Sequence, residues 1–178
     1  FGGYTADRLD LDTVKRKGEL NRKLKAFRSG KTQILIGTQI IAKGLDFRNV
    51  GLSGIVSADV SLNIPDFRSP ERTFQLITQA AGRAGRGDTQ GQVVIQTYSP
   101  EHYAVTFAAE HDYRGFFETE RKLREYMGYP PYSDLFQIVF TAKEEQAAKE
   151  GAESWYQRIR GSMEAEEQES VFPPQQAY

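Results

Sequence analysis

The chain has 178 residues, 39% of them hydrophobic, which is room for one large domain or two small ones around a buried core. Zero cysteines exclude disulfides and cysteine-ligated zinc within it and fit a reducing compartment. Two histidines, His102 and His111, disfavour a histidine metal site. The net charge of −1 hides an asymmetry, since residues 1–98 carry 15 Lys and Arg against 9 Asp and Glu, a net of +6, and residues 99–178 carry 8 against 15, a net of −7.

No stretch approaches the roughly 18–20 apolar residues of a membrane span, so no membrane partner is expected. The start, Phe1-Gly2-Gly3-Tyr4, is not a signal peptide and lacks an initiator Met, which suggests a piece of a longer chain. The basic front half is compatible with an anionic partner such as DNA or a nucleotide.

In chain order, residues 4–9 read as a short strand and 10–13 as a turn and cap. The stretch 14–28 reads as an amphipathic basic helix, with Leu20, Leu24 and Phe27 on one face and Gly30 after its end. Its lysines and arginines suit a solvated face better than a nucleic-acid contact.

Ser29-Gly30-Lys31-Thr32 resembles the end of a phosphate-binding P-loop, but Lys25 stands where that pattern needs glycine. The order is also reversed, with a helix before and a strand after. Lys31 is therefore not read as a nucleotide ligand.

Residues 33–38 read as an apolar strand, 39–42 as a turn or short helix, and 43–47 as a loop. A second strand is expected over 50–58 and a loop over 59–68. Ser69-Pro70-Glu71-Arg72 reads as a helix start, with Ser69 as N-cap.

If that helix runs on, Gln79, Arg83 and Arg86 fall at i, i+4 and i+7 on one face, and Gly85 or Gly87 ends it. Two guanidiniums and an amide aimed together suit an anion, most obviously a polyphosphate. A third strand covers 92–97. Strands alternating with helices argue for a parallel α/β sheet, whose ligands bind beyond the carboxyl ends of the strands, where 38–46 should lie.

Beyond Ser99-Pro100 helices are expected over 101–110 and 112–127, a break at 128–132, a strand over 135–142 and a helix over 144–160. The tail 163–178 is acidic and then rich in Pro and Gln, and reads as a linker or as a strand lacking its partner.

Three segments stand in series: Gly-Thr-Gln-Ile-Ile-Ala-Lys-Gly-Leu-Asp-Phe at 37–47, Pro-Asp-Phe-Arg-Ser-Pro-Glu-Arg at 65–72, and Gln-Ala-Ala-Gly-Arg-Ala-Gly-Arg at 79–86. The combination resembles the second motor lobe of superfamily 2 helicases, the first segment resembling their motif V and the last their motif VI. The wording of the first two is most similar to the PriA family of primosomal replication-restart helicases. The resemblance runs from about Arg8 to Ala142.

It implies a parallel-sheet RecA-like α/β lobe over 1–98, followed over 99–178 by the truncated start of an α+β C-terminal domain. It implies 3′→5′ DNA unwinding driven by ATP with Mg2+, and recruitment of helicase-loader proteins of the primosome at stalled forks. Arg83 and Arg86 would then be arginine fingers and Gln79 a contact to the nucleotide or to the other lobe. Gly44 and Asp46 would meet the nucleotide, Asp46 accepting from a ribose hydroxyl. Thr38 and Gln39 would meet a DNA phosphate, and Lys43 either ligand. Arg68 and Arg72 suit ion pairs with Asp66 and Glu71 better than DNA contacts.

One departure is Leu45, where family members usually carry histidine. The ATP-binding segments of the first lobe and the zinc-binding cysteines of the family are expected upstream, so the piece alone should not hydrolyse ATP. Two alternatives stay open: a non-catalytic DNA-binding module, or the lobe of a different superfamily 2 translocase.

Overall fold

The computed structural model describes residues 3–10, 18–38, 47, 50–84 and 91–176. By packing, the chain divides into two compact units, 1–132 and 133–178.

The first unit opens with strand β1 (Ala6–Leu9), helix α1 (Glu19–Arg28) and strand β2 (Ile34–Gly37). β1 and β2 pair in parallel, Ala6 beside Ile34 and Leu9 beside Gly37. A parallel pair needs a crossover, and α1 lies within it. The apolar face foreseen on α1 is used: Leu24 is buried with Leu9 and Phe47, and Leu20, Phe27, Leu35 and Val50 pack around them. Its basic face is partly neutralised. Lys23 Nζ donates to the carbonyl of Arg8 at 2.7 Å and lies 3.6 Å from Asp7.

Strand β3 (Leu52–Ile55) and strand β4 (Gln92–Ile95) form a second parallel pair, with Leu52 beside Gln92 and Ile55 beside Ile95. The parallel α/β reading therefore holds, but as two two-stranded sheets among the described residues rather than one continuous sheet. Between these strands run a single-turn helix α2 (Asp59–Leu62), where a loop was expected, and helix α3 (Ser69–Ala81). Asp59 is buried and holds the end of β4, accepting from Thr97 Oγ1 at 2.9 Å and from the amide of Tyr98 at 3.2 Å. Buried carboxylates need such donors, and here they tie α2 to the strand.

Helices α4 (Tyr103–Ala109) and α5 (Tyr113–Met127) complete the unit. The larger core joins Phe74 and Ile77 of α3 to Ala104, Val105 and Ala108 of α4 and Phe116 of α5, with Ile55 and Ile95 beneath. Phe74 and Phe116 stack with centroids 4.2 Å apart. Helices placed by composition in the second segment thus pack on α3. Asp112 caps α5 by accepting from the amide of Gly115 at 2.9 Å, and Gly128 ends it with φ 63°, a left-handed C-cap that favours glycine.

In the second unit helix α6 (Glu145–Gly161) forms as expected, and a 3-10 turn covers Glu167–Ser170 of the tail. The strand expected over 135–142 does not form. Its apolar residues are mostly exposed, Phe136 at 88%, and no described strand pairs with them. A β pattern supplies a face, but the ladder needs a partner backbone.

Candidate functional site

The described site candidates sit at two places, Thr38 at the carboxyl end of β2 and Gln79 and Arg83 at the carboxyl end of α3. The amino end of α3 is set by the loop before it. Ser69 is not its N-cap but its first helical residue, and its hydroxyl donates to the carbonyl of Ile64 at 2.6 Å. Asp66 organises the turn instead. Its Oδ1 accepts from the amide and Nε of Arg68, both at 2.9 Å, and its Oδ2 from Arg68 Nη2 at 2.8 Å. Arg72 Nη1 lies 2.9 Å from the same Oδ2.

The Arg68 side-chain hydrogen bonds, helped by the charges of Arg68 and Arg72, hold the Asp66 carboxyl down at about 2. Both arginines are thus engaged by Asp66, as expected. Glu71 bonds elsewhere, accepting from Gln75 Nε2 at 3.0 Å and pairing with Arg124 at 2.8 Å, and acts on Arg68 only through its charge.

At the other end, α3 stops at Ala81 with Gly82 as C-cap, before Gly85 and Gly87. The amides of Arg83 and Ala84 then bond three residues back, to the carbonyls of Ala80 and Ala81, each at 3.1 Å. This is the tighter 3-10 pattern common at helix ends. Gln79 therefore lies on the helix and Arg83 in the half-buried turn beyond it, not one turn further along the same helical face. Arg86 lies outside the described residues, as do Gln39, Lys43, Gly44 and Asp46.

Thr38 is exposed, directly after the carboxyl end of β2. At the far end of the 37–47 segment Phe47 is buried at 6% and meets Phe27 edge-on at 4.8 Å. Thr38 thus follows a strand and Phe47 sits in the core. Gln79 and Arg83 share one helix end, whereas Thr38 directly follows β2.

Spacing alone missed a groove of about 520 Å³ between α3 and α5. Phe74, Gln75, Thr78 and Gln79 line one side and Tyr113, Phe117 and Arg121 the other. At its floor Glu120 is buried; it accepts from Tyr103 Oη at 2.5 Å and from Arg124 Nε at 2.7 Å. Burial and the Glu120 carboxylate push the Tyr103 phenol well above its ordinary range, so it remains a donor. The only local signal for this cluster is Glu120 and Arg124 at i, i+4.

Comparison with known proteins adds the following. Residues 3–88 match the helicase conserved C-terminal domain family. The chain is similar to "Replication restart protein PriA" of Bacillus subtilis, 52% identical over 142 residues, which is 80% of this chain and 17% of that protein. It is 48% identical over 128 residues to the protein of the same name from Synechocystis, covering 72% of this chain and 15% of the relative. With that of Chlamydia muridarum it shares 40% over 159 residues, 89% of this chain and 21% of the relative. The chain therefore spans only between 15% and 21% of these relatives.

Proposed function

Since the chain is a segment of the PriA replication-restart family and carries a helicase conserved C-terminal domain, we propose that it forms the second motor lobe of an ATP-driven DNA helicase. The start of a further domain follows that lobe. The observation that carries the reading is that the domain match over 3–88 encloses all three segments, 37–47, 65–72 and 79–86.

In this reading ATP is the substrate, bound with Mg2+ mostly by a first lobe elsewhere in the parent. Arg83 and Arg86 reach the γ-phosphate from this side. Charge builds on that group during transfer, and a guanidinium fork stabilises it. The half-buried turn carrying Arg83 suits this task, because partial exclusion of water strengthens a charge–charge contact. Gln79 links the helix to the nucleotide or to the opposite lobe. Gly44 lets the backbone approach the nucleotide and Asp46 accepts from the ribose. Thr38, Gln39 and Lys43 hold a phosphate of the translocating strand.

Closure of the two lobes on ATP, and reopening after hydrolysis, then steps the protein 3′→5′ along single-stranded or forked DNA. The parent would use this motion at stalled forks and hand them to helicase-loader proteins, and its zinc site would lie outside this segment.

The test is Arg83→Ala and Arg86→Ala in the full-length parent. ATP turnover should fall by about 10³–10⁵-fold, as for lost arginine fingers, with fork binding intact. Equal loss of both activities would contradict the reading. Measurable DNA-stimulated ATP hydrolysis by the isolated segment would also contradict it.

A further inference from the structure

The Arg124 guanidinium joins three segments of the chain. Nε donates to Glu120 of its own helix at 2.7 Å, and Nη2 to Glu71 in the first turn of α3 at 2.8 Å. Nη1 lies 3.5 Å from the carbonyl of Pro130, in the turn that closes the first unit. The plane also covers the ring of Phe67 at 5.1 Å, and Phe67 stacks on Tyr129 at 5.4 Å. Arg124 is only 16% exposed, and the second oxygen of Glu120 is taken by Tyr103.

An ion pair this enclosed is weak evidence for stability, because desolvation offsets much of its attraction. Its best-attested use is to specify register. Here it ties the first turn of α3 to α5. The helix runs 13 residues with no glycine inside and its proline confined to the first turn, so it behaves as one rigid body. Gln79 stands eight residues beyond Glu71, about 12 Å along the axis, and Arg83 follows in the turn at its end. Thr73, Phe74, Ile77 and Ala80 are buried on the same helix and hold it against the core. The Glu71–Arg124 pair adds a directional, charge-assisted contact to that packing.

We infer that Arg124 is a positioning residue for the ATP-facing end of α3, acting through Glu71 and referencing that helix to the 128–132 turn. The inference rests on the motor reading of Arg83 above. A movement at 128–132 would then be felt at the arginine turn.

The test uses the full-length protein and DNA-stimulated ATP hydrolysis. Glu71→Gln removes the interhelix charge and leaves Arg124 with Glu120. It should lower kcat about ten- to a hundred-fold, since a misplacement of about 1 Å can cost about 10²-fold, with KM for ATP and melting temperature nearly unchanged. Arg124→Gln should lower kcat as far, and the double variant no further than the lower single. Unchanged kcat in Glu71→Gln would overturn the inference. So would a loss of kcat matched by an equal loss of folded protein. Arg83→Ala in the same assay separates the two levels. If it is inactive while Glu71→Gln is fully active, only the positioning role fails. If Arg83→Ala turns over normally, the motor reading fails with it.

Discussion

Arg68 closes its guanidinium on the Asp66 carboxylate two residues earlier, at 2.9 and 2.8 Å, and so shapes the turn that launches α3. The folded-state carboxyl is held near 2, below the usual 3.8, chiefly by that hydrogen bond. A depressed carboxylate contributes stability above its unfolded value and loses it as pH falls through the folded one. The contribution of Asp66 should therefore be complete above about pH 4 and fade toward pH 2. Urea unfolding from pH 6 to 2 should show wild type and Asp66→Asn converging at the acid end. A constant gap between them would contradict this. Added salt should narrow the gap at neutral pH, because Arg68 is exposed.

Gly115 is required by space. A Cβ there would sit 2.5 Å from Phe107 Cε1 and against the Asp112 carboxylate that caps α5. Gly115→Ala should cost about 1–3 kcal/mol through overpacking. Gly151, inside α6, has its nearest neighbour, Phe140, at an ordinary 3.6 Å. Gly151→Ala should instead gain up to about 1 kcal/mol of helix propensity. Denaturant midpoints of the two variants should move in opposite directions.

Lys31 and Thr32 separate a false motif from a real contact. Lys31 is exposed in the turn after α1, whereas buried Thr32 donates to Asp7 at 2.9 Å. Lys31→Ala should leave nucleotide affinity of the full-length parent unchanged by equilibrium titration. Thr32→Val should cost about 1 kcal/mol in chemical unfolding, since the Asp7 carboxylate loses a donor.

Ile77 has no exposed surface and sits in the core shared by α3 and α4. Ile77→Ala should destabilise by about 2–5 kcal/mol. Because Ile55 and Ile95 pack on the same cluster, hydrogen exchange of the β3 and β4 amides should accelerate with it. Loss confined to α3 would contradict a shared core.

Much of this fold was legible in the sequence because its signals are local. The Leu20, Leu24 and Phe27 row identified α1 and its buried face. The apolar runs before Gly37 and after Gly91 gave the parallel strands. The failures have physical causes. The 135–142 run carries a β pattern but pairs with no described strand. The packing of α4 on α3 was hidden because the shift of charge at residue 99 reports surface composition, not where the core ends.

Within the candidate site, residue type, spacing and the motif resemblance single out Gln79, Arg83 and Thr38. The end of α3 was placed too late because Gly82 was passed over in favour of later glycines. Glu71 and Arg124 stand 53 residues apart, so no local spacing could pair them.

The central claim is that Arg83 and Arg86 act on the transferring phosphate. The most direct measurement is the affinity of the full-length parent, with DNA present, for ADP–aluminium fluoride and for a non-hydrolysable ATP analogue, in wild type and in Arg83→Ala and Arg86→Ala. Arginine fingers predict that the variants lose the transition-state mimic by at least about 10³-fold and keep the ground-state analogue. Equal loss of both ligands, or loss of neither, would contradict the account.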